Sequence, residues 1–506
     1  MLTIGGILRK RANISPDLEA LISNSDRYTY RELNQRANQL ANYLLKCNIQ
    51  KGDRVAILCS THHPFVTIFM AIAKIGAIAV PLNWRLNPAE LEWMAHDSQP
   101  QALFYEEEFS DGASILSACA SLHHVIKVGR ANSLEPEFAA IFREESMSEP
   151  LVDVHEDDPA VLTYTSGTTG KPKGVVSTHQ TLHASGVATF MMLDMHMKDR
   201  MLMCTPLFHI SGIAFISNAP LAGITTVCMP QFHPVHIWDL VRQEQITHMF
   251  AIPVMLKYML PAVINGEAES GTLREILCGG TNVPRDLIEQ YDSLGFPIAQ
   301  VYGASEYSGV ISLWRSQMGK ETCGSAGKWL IGEVKILDPD NGRELPVGEV
   351  GEIICKGPQL FQGYWNNPKE TEKVLQDGWF HTGDAGKLDE QGFLYVVDRY
   401  KDMINCSGEK VFPAQVEAVI REIEGVEEVA VIGIEDKIWG EVPQACVVKS
   451  ADSSLSEEEI LHYCHQKLAQ YKLTGVTFVE ELPKNAAGKV LKYVLREDFR
   501  KKIKTQ

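Results

Sequence analysis

The stretch YTSGTTGKPKG, residues 164–174, combines three threonines, a serine, three glycines and two lysines. It follows an apolar run, AVLTY, that predicts a buried strand, and it precedes a helix-like segment, TLHASGVATFMM. Glycines let backbone N–H groups approach an anion, while hydroxyls add donors and lysines add charge. The stretch therefore predicts a polyphosphate-binding loop, with a flexible polar turn as the plainer alternative. It is not a Walker A motif, because Pro172 stands where that motif needs serine or threonine.

Composition is typical of a globular enzyme. The chain has 506 residues, of which 45% are hydrophobic, and this length is enough for several packed domains. The formal net charge of -17 argues against nucleic acid and anionic membranes as partners. A small-molecule substrate is the better expectation.

Cysteine usage and the N-terminal segment predict a cytoplasmic protein. The eleven cysteines include no CxxC pair, which argues against a disulfide framework and against a structural zinc site. The basic residues near the N terminus are not followed by a continuous apolar core, so no signal peptide is expected. Residues 65–82 are apolar, but Lys74 and Gly76 favour a buried helix and strand over a transmembrane segment.

Helical and strand-like segments alternate over two stretches of the chain. The first has a helix candidate at 28–47 and strand candidates GDRVAILC (52–59), AIAV (77–80) and ALFYEE (102–107). The second, from Val161 to Val301, has the strand candidates AVLTY, MLMCTPL, TTVCMP, HMFAIP and REILCGG. This alternation predicts an α/β fold with two doubly wound subdomains.

The last third of the chain has a different sequence pattern. Short strands and turns such as PDNG within residues 324–397 predict a small β-barrel or antiparallel sheet. Beyond residue 403, alternating helix and strand patterns predict a smaller α+β domain with its own core. The predicted organisation is a large N-terminal domain, residues 1–398, and a C-terminal domain, residues 403–506.

Four further motifs follow the first in order: VYGASE (301–306), WFHTGD (379–384), DRYKDMINCSGEKVFP (398–413) and LPKNAAGKVLK (482–492). Together the five resemble the signature motifs of the adenylate-forming superfamily, which comprises acyl-CoA synthetases, peptide-synthetase adenylation domains and luciferases. The resemblance covers essentially the whole chain and is strongest to bacterial fatty-acyl and aryl-CoA ligases. It implies that ATP activates a carboxylate as an acyl-adenylate, which then passes its acyl group to a nucleophile, usually CoA.

The resemblance also implies a nucleotide site. The glycine-rich loop would hold the β- and γ-phosphates, Tyr302 would stack on adenine, and Asp384 would bind the ribose hydroxyls together with Arg399. Ser305 stands where the family more often has threonine, and its hydroxyl would keep the phosphate contact. The implied nucleotide-binding residues are Thr165, Ser166, Gly167, Thr168, Thr169, Gly170, Lys173, Gly279, Gly280, Thr281, Tyr302, Gly303, Ser305, Asp384 and Arg399.

Three residues are implied in catalysis. By resemblance, Glu306 would coordinate a Mg²⁺ ion that bridges phosphate oxygens. Lys489 matches the lysine that bridges the carboxylate and the α-phosphate, and His209 matches a gate residue near the carboxylate. Taken alone, Lys489 reads as a solvated lysine and His209 as a histidine at a helix start.

A mobile C-terminal domain follows from the position of Lys489, because this domain would have to close for adenylation and then leave to admit the thiol. The resemblance implies a hinge within residues 399–402, at Lys401, and an acceptor tunnel that includes Ser407, Gly408 and Glu409. Ser407 replaces a glycine usual in the family, and Thr474 stands where proline commonly follows leucine. Both departures concern the second half-reaction and leave an amine acceptor open.

The segment PLFHISGIAF, residues 206–215, resembles the wall of the acyl pocket. Its mostly apolar companions predict a hydrophobic alkyl or aryl acid, and the sequence shows no arginine obviously placed for a second carboxylate. The implied acid-pocket residues are His209, Ile213, Val254, Cys278 and Ser308.

Three functions stay open at this stage. The preferred function is an ATP- and Mg²⁺-dependent acyl-CoA synthetase, expected to act as a monomer or homodimer. The second is an adenylate-forming amide ligase with an amino acid or other amine as acceptor. The third is an inactive nucleotide-binding relative with a regulatory role, against which Glu306, Asp384 and Lys489 all argue.

Overall fold

The computed structural model describes residues 2–130, 133–165, 172–281, 283–406, 409–436, 440–484 and 488–505, with the backbone alone at 401, 410, 440 and 501–505. The chain forms two compact units, each made of two segments. The first unit comprises Met1–Val334 and Cys355–Phe380, and the second comprises Lys335–Ile354 and His381–Gln506. The predicted hinge at 399–402 stays a prediction.

The described helices and strands alternate along much of the chain. The strands are β1 (Glu19–Ser23), β2 (Asp26–Thr29), β3 (Arg54–Leu58), β4 (Ile78–Pro81), β5 (Ala102–Glu106), β6 (His124–Arg130), β7 (Ser133–Leu134), β8 (Pro159–Thr165), β9 (Lys173–Thr178), β10 (Arg200–Met203), β11 (Thr225–Cys228), β12 (His248–Ala251), β13 (Glu275–Gly279), β14 (Ile298–Ala304), β15 (Gly309–Trp314), β16 (Glu333–Leu337), β17 (Gly351–Lys356), β18 (Gly363–Tyr364), β19 (Leu375–Gln376), β20 (Trp379–Leu388), β21 (Leu394–Arg399), β22 (Ile404–Cys406), β23 (Glu409–Val411), β24 (Val426–Asp436), β25 (Gly440–Lys449) and β26 (Gly475–Phe478). The α-helices are α1 (Ile4–Ile14), α2 (Tyr30–Lys46), α3 (His63–Lys74), α4 (Pro88–Ser98), α5 (Ser110–Leu116), α6 (Pro136–Glu144), α7 (His179–Met192), α8 (Ile210–Ala222), α9 (His236–Gln243), α10 (Pro253–Ile264), α11 (Arg285–Ser293), α12 (Pro368–Val374), α13 (Pro413–Arg421), α14 (Glu457–Lys467) and α15 (Lys492–Thr505). Single 3₁₀ turns lie at Glu107–Phe109, Ser305–Tyr307, Ser316–Met318, Lys320–Thr322, Tyr400–Asp402 and Gln470–Lys472.

Two eight-stranded sheets form the framework of the first unit. Sheet I has the order β15-β14-β13-β12-β10-β11-β1-β2, and its strands are parallel from β14 to β1 with an antiparallel strand at either edge. Sheet II has the order β18-β9-β8-β4-β3-β5-β6-β7 and is parallel from β8 to β6. The parallel centres confirm the alternation read from the sequence, since parallel neighbours need crossover connections.

Helix α3 lies in the hydrophobic core of the first unit. All twelve of its residues are buried, and Ile78–Pro81 follows as the buried strand β4. Burial lowers the pKa of Lys74, and its ammonium is paired with the Glu149 carboxylate at 2.7 Å. The apolar run is therefore a core helix and strand, as predicted, and its lysine is paired as a buried charge must be. Among the described residues, no helix combines the length and apolarity needed to cross a membrane.

Local signals fix where α2 begins. The Thr29 hydroxyl accepts from the Glu32 N–H while the Glu32 carboxylate accepts from the Thr29 N–H, which completes a capping box. The helix therefore starts at Tyr30, two residues later than the sequence pattern indicated.

A third sheet has five strands in the order β16-β17-β20-β19, with β21 paired to β20. It occupies the region where the sequence predicts short strands and turns. Strands β20 and β21 are antiparallel and place Asp384 opposite Arg399.

The C-terminal part of the second unit has its own sheet, in the order β23-β22-β25-β24 with β26 beside β25. Helices α13 and α14 supply Val416, Ile420, Ile460 and Cys464 to a buried cluster with the inward side chains of this sheet. The predicted helices and strands of the α+β domain are all present, and their apolar faces meet in one core.

Candidate active site

Four neighbouring parallel strands of sheet I, in the order β10, β12, β13 and β14, end at the same edge. Ligands of open α/β sheets bind at the carboxyl ends of the strands. Several sequence-predicted residues lie in the segments that follow these ends: His209 after β10, Val254 after β12, Gly280 and Thr281 after β13, and Ser305 and Glu306 after β14. The fold therefore brings the predicted acid and nucleotide segments of the first unit to one edge.

Close backbone packing explains two glycines at this edge. A Cβ atom at Gly279 would lie 2.4 Å from the Val301 carbonyl oxygen, and one at Gly303 would lie 2.1 Å from that of Gly309. Gly280 adopts a φ of +84°, which favours glycine. Strand packing therefore requires glycine at 279 and 303, and the backbone conformation favours it at 280.

Glu306 is held by contacts on both its backbone and its side chain. It lies on the Ser305–Tyr307 turn, where its carbonyl accepts from the Phe361 N–H at 2.9 Å. The Tyr364 hydroxyl donates to Glu306 Oε1 at 2.7 Å. Magnesium prefers oxygen ligands and in nucleotide sites is commonly bound by one or two carboxylates plus phosphates. A fixed carboxylate fits this requirement, and the described residues contain no cluster of three metal-ligating side chains.

The glycine-rich loop connects two antiparallel strands. Thr165 at the end of β8 is the cross-strand partner of Lys173 at the start of β9, and α7 begins only at His179. Its predicted phosphate-binding members Ser166, Gly167, Thr168, Thr169 and Gly170 lie outside the described residues. The helix predicted from TLHASGVATFMM is present in α7, but the β-branched Val175 and Val176 belong to a buried strand between the loop and that helix. Phosphate binding would thus rest on the loop's own donors and on Lys173, without a helix N-terminus.

Lys173 already has a carboxylate partner in the protein. Its ammonium pairs with the Glu370 carboxylate and lies 5.0 Å from the centre of the Tyr364 ring. Hydrogen bonds from Lys173 and Lys373 lower the pKa of Glu370 to about 2. Tyr364 and Glu370 were not among the predicted site residues, because only their place in the fold connects them with Lys173 and Glu306.

His209 is the N-cap of α8 and carries a buried ring nitrogen. Its Nε2 has no hydrogen-bond partner within the described part of the chain. Burial, together with the charge of Arg85, lowers the pKa of His209 to about 4, so the imidazole is neutral at pH 7. A buried polar atom without a protein partner needs an explanation, and a bound ligand supplies one.

An aromatic patch lies next to His209. The Phe208 and His209 rings are 4.5 Å apart, and Trp84 stacks on Phe109 at 5.1 Å and contacts Phe208 edge-on at 6.4 Å. The guanidinium of Arg85 lies 4.5 Å above the Trp84 ring. Sequence reasoning overlooked Trp84 and Arg85, which belong to a distant segment. That no arginine is placed for a second carboxylate stays a prediction.

The remaining predicted acid-pocket residues have different environments. Ile213 and Cys278 are fully buried, and burial raises the pKa of the Cys278 thiol, whereas Val254 is 39% exposed. Ser308 has a φ of +50°, and its buried hydroxyl lies 3.1 Å from that of Ser177 and 3.0 Å from that of Thr181. Ser308 therefore connects sheet I to β9 and α7, and its contact with an acid stays a prediction.

The second unit carries the predicted ribose residues. Asp384 is 6% exposed, and Arg399 Nε lies 2.5 Å from Asp384 Oδ1 across the β20–β21 pair. The Thr382 hydroxyl accepts from the Asp384 N–H at 3.0 Å. The structure thus pairs the two residues that the resemblance assigned to one task.

Lys489 belongs to the second unit. Gly488 before it has a φ of +77°, and Val490 after it forms a β-bridge with Lys484. Leu491 N–H also donates to the Pro483 carbonyl at 2.7 Å. The backbone that follows Lys489 is therefore held by Pro483 and Lys484.

The predicted hinge and acceptor residues are described only in part. Lys401 belongs to the Tyr400–Asp402 turn, and Asp402 pairs with Arg496 at 2.9 Å. Ser407 and Gly408 lie outside the described residues, whereas Glu409 is exposed at the start of β23.

Comparison with known proteins agrees with the motifs along almost the whole length of the chain. The chain is 37% identical over 504 residues to the long-chain-fatty-acid–CoA ligase FadD13 of Mycobacterium tuberculosis, covering 99% of both chains. It is 36% identical over 494 residues to a feruloyl-CoA synthase of an Amycolatopsis species, covering 97% of this chain and 98% of the other.

Solved structures give the same result. The O-succinylbenzoate coenzyme A synthetase MenE of Bacillus subtilis, in complex with ATP and a magnesium ion, superposes with a TM-score of 0.86 at 32% identity, covering 96% of this chain and 98% of that one. This likeness confirms the predicted fold class. Residues 8–365 match the AMP-binding enzyme family and residues 415–489 match the AMP-binding enzyme C-terminal domain. The chain therefore belongs to the AMP-binding enzymes, the adenylate-forming family that its five motifs predicted.

Proposed function

We propose that the protein is an ATP-dependent acyl-CoA ligase acting on a hydrophobic carboxylic acid. A carboxylate oxygen attacks the α-phosphorus of ATP, the bond to the β-phosphate breaks, and pyrophosphate leaves. The sulfur of CoA then attacks the acyl carbon, a thioester forms, the thiol proton is released to solvent and AMP leaves. Family membership and the acyl-CoA ligases among its relatives support both half-reactions.

One observation supports the proposal most: the segments that we assign to the acid and to the nucleotide lie at the same edge of sheet I. His209 follows β10, whereas Tyr302 and Gly303 lie near the end of β14 and Ser305 and Glu306 follow it, three strands away in the sheet. An acid and a nucleotide bound along this edge could approach each other, which adenylate formation requires.

Charge repulsion between the carboxylate and the triphosphate is the main electrostatic barrier to the first step. We assign Glu306 to Mg²⁺, which would supply positive charge at the phosphate oxygens. We assign Lys173 and the loop after Thr165 to the β- and γ-phosphates. In agreement with this, Lys173 starts β9 and Glu306 follows β14 within the same compact unit.

We assign the acid to the surroundings of His209. A neutral imidazole with an unpaired Nε2 can hydrogen-bond a carboxylate or its ester without adding charge. The rings of Phe208, Trp84 and Phe109 provide the apolar surface expected for an alkyl or aryl chain. The acids named for two relatives, a long-chain fatty acid and ferulic acid, fit this chemistry.

In the second unit we assign Asp384 and Arg399 to the ribose, Lys489 to the reacting carboxylate and α-phosphate, and Lys401 to the hinge. The bidentate acceptor capacity of a carboxylate suits two vicinal hydroxyls. Glu409, with Ser407 and Gly408, is assigned to the acceptor tunnel.

CoA is the preferred acceptor over an amine. Thr474, one of the two departures from the family pattern, donates its N–H to the Pro443 carbonyl at 3.0 Å and its hydroxyl to the same oxygen at 2.8 Å. Proline could make neither bond, so Thr474 has a structural role in fixing the backbone just before β26. It therefore lends no support to an amide ligase.

The test is acid-dependent pyrophosphate release from ATP and Mg²⁺, measured over a panel of fatty and aryl acids. Release that turns over repeatedly with CoA but not with amino acids is the expected result. Turnover driven only by amino acids would favour the amide ligase. The absence of release with every acid would instead favour an inactive nucleotide-binding relative.

A further inference from the structure

Tyr364 lies where two predicted phosphate-side residues meet. It belongs to β18, which pairs antiparallel with β9 and places Tyr364 opposite Val175, two residues after Lys173. Its ring is 9% exposed and packs against Phe361 at 5.1 Å. Its N–H donates to the Thr371 hydroxyl at 2.9 Å, so its backbone is also fixed.

The side chain of Tyr364 makes two different contacts. Its hydroxyl donates to Glu306 Oε1 at 2.7 Å, and the face of its ring lies 5.0 Å from the Lys173 ammonium. These partners are 58 and 191 positions away in the sequence, so only the fold unites them. Both partners belong to the same compact unit as Tyr364.

We propose that Tyr364 is a positioning residue for the triphosphate and its metal ion. This inference rests on the proposed function, in which Glu306 binds Mg²⁺ and Lys173 binds phosphate. A hydroxyl that donates to one carboxylate oxygen fixes the rotamer of the carboxylate and leaves its second oxygen for the metal. Hydrogen-bonding partners of metal ligands commonly act in this way.

The ring of Tyr364 has a separate role toward Lys173. An ammonium over an aromatic face is attracted less strongly than one paired with a carboxylate. Lys173 can therefore exchange its Glu370 partner for a phosphate while the ring continues to hold its position. A neutral ring also adds no negative charge that would repel the incoming triphosphate.

A purely structural tyrosine would make a different prediction. Its ring would fill space against Phe361, and phenylalanine would serve equally well for Mg²⁺ binding. Tyr364→Phe separates the two possibilities, because it keeps the ring and its contact with Lys173 and removes only the hydroxyl.

The experiment measures ATP binding by calorimetry, once over a Mg²⁺ titration and once with excess EDTA. We expect Tyr364→Phe to raise the Mg²⁺ concentration for half-maximal enhancement of binding about tenfold. Binding of ATP in EDTA should stay within about twofold of the original protein. An equal loss with and without Mg²⁺, or no loss at all, would overturn the inference.

Tyr291→Phe is the matched control. The hydroxyl of Tyr291 is also buried and donates to the Leu256 carbonyl at 2.7 Å, so the variant loses a comparable hydrogen bond away from Glu306. It should leave the Mg²⁺ requirement unchanged. A shift as large as that of Tyr364→Phe would mean that any lost buried hydroxyl has this effect, and it would also overturn the inference.

Glu306→Gln distinguishes failure of this inference from failure of the proposed function. If Glu306→Gln keeps the original Mg²⁺ requirement, the metal assignment is wrong and the inference falls with it. If Glu306→Gln loses the Mg²⁺ enhancement and Tyr364→Phe does not weaken it, the inference alone is wrong. Tyr364→Phe should have no further effect on the Mg²⁺ requirement in a Glu306→Gln background, since both act through one carboxylate.

Discussion

The two edges of sheet I both carry a buried histidine, but the histidines are held differently. At the amino edge, His248 begins β12, and its Nδ1 lies 3.0 Å from the Thr247 hydroxyl. At the carboxyl edge, His209 leaves Nε2 without a partner in the described structure. The pKa of each is lowered to about 4, chiefly by burial. Burial alone therefore does not distinguish them, and the difference lies in their hydrogen bonds.

The charged groups at the two edges of sheet I also differ in their partners. At the amino edge, Arg200 pairs with Glu19 at 2.7 Å and with Glu244 at 2.6 Å, and Arg274 pairs with Asp199. At the carboxyl edge, Glu306 is held through one oxygen by a neutral tyrosine. Mutually paired ions stabilise the fold, whereas a carboxylate held by a neutral donor keeps its charge for a cation. Within sheet I, the comparison distinguishes the mutually paired carboxylates of the amino edge from Glu306.

The largest expected effect concerns Lys489, which we assigned to the reacting carboxylate and the α-phosphate. Lys489→Ala should slow acid-dependent pyrophosphate release by about 10²- to 10³-fold, since one preorganised charge at the reacting atoms is removed. ATP binding, measured by calorimetry, should stay within about twofold. Retained turnover would contradict the assignment of this lysine.

A pair of glutamates gives the sharpest contrast between the two edges. Glu306→Gln should lower pyrophosphate release by about 10²-fold with little change in thermal stability. Glu244→Gln should do the opposite, because it leaves Arg200 and Arg27 with a weaker partner and lowers the free energy of unfolding by about 1–3 kcal/mol. Equal effects of both variants on activity would break the comparison.

The two histidines provide a second matched pair with a smaller effect. His209→Asn should raise the KM for the acid about tenfold, because the amide does not reproduce the position of Nε2. His248→Asn should leave that KM unchanged and lower the free energy of unfolding by about 1 kcal/mol through the altered bond to Thr247. Steady-state kinetics and urea unfolding measure the two quantities. A raised KM in the His248 variant would be the contrary result.

The smallest expected effect is the dependence of stability on pH. The pKa of His209 and His248 falls from an ordinary value of 6.5 to about 4 in the folded protein, so below pH 6.5 the unfolded chain binds more protons. Their stabilising contribution is complete above pH 6.5 and is lost progressively as the pH falls toward 4. Between pH 7 and pH 5 the melting temperature should therefore fall, and less so for His248→Asn, whose charged neighbours are Arg274, Asp199, Arg315 and His196. An unchanged slope in that variant would contradict the assigned pKa.

Local pattern was sufficient for much of the framework. The apolar run before Pro81 predicts both α3 and β4, because its length and its single lysine fit a buried helix and not a membrane span. The motifs likewise grouped Asp384 with Arg399, which the structure joins in an ion pair, whereas the metal role of Glu306 stays a prediction. These features depend on neighbouring residues or on spacings that are visible in the chain.

Contacts between segments that are distant in the sequence could not be predicted from it. Strand β1 joins sheet I beside β11, with Leu21 opposite Thr226, and no local pattern specifies that neighbour. Tyr364 and Arg85 reach the site from segments that carry no catalytic signal of their own. Strand β9, which follows the glycine-rich loop, was missed for a different reason. It has only six residues, and the longer helical pattern that follows dominated the interpretation of this segment.

The distribution of thiols offers a way to detect local unfolding of this protein. All eleven cysteines lie within the described ranges as free thiols, ten of them buried and Cys47 alone partly accessible. A thiol-reactive dye should therefore label the native protein at one position at most, and slowly, since the pKa of Cys47 is raised. Further labels would appear only as buried segments of either unit become accessible. The rate at which these buried cysteines become labelled, measured by mass spectrometry, would therefore report local unfolding without any engineered probe.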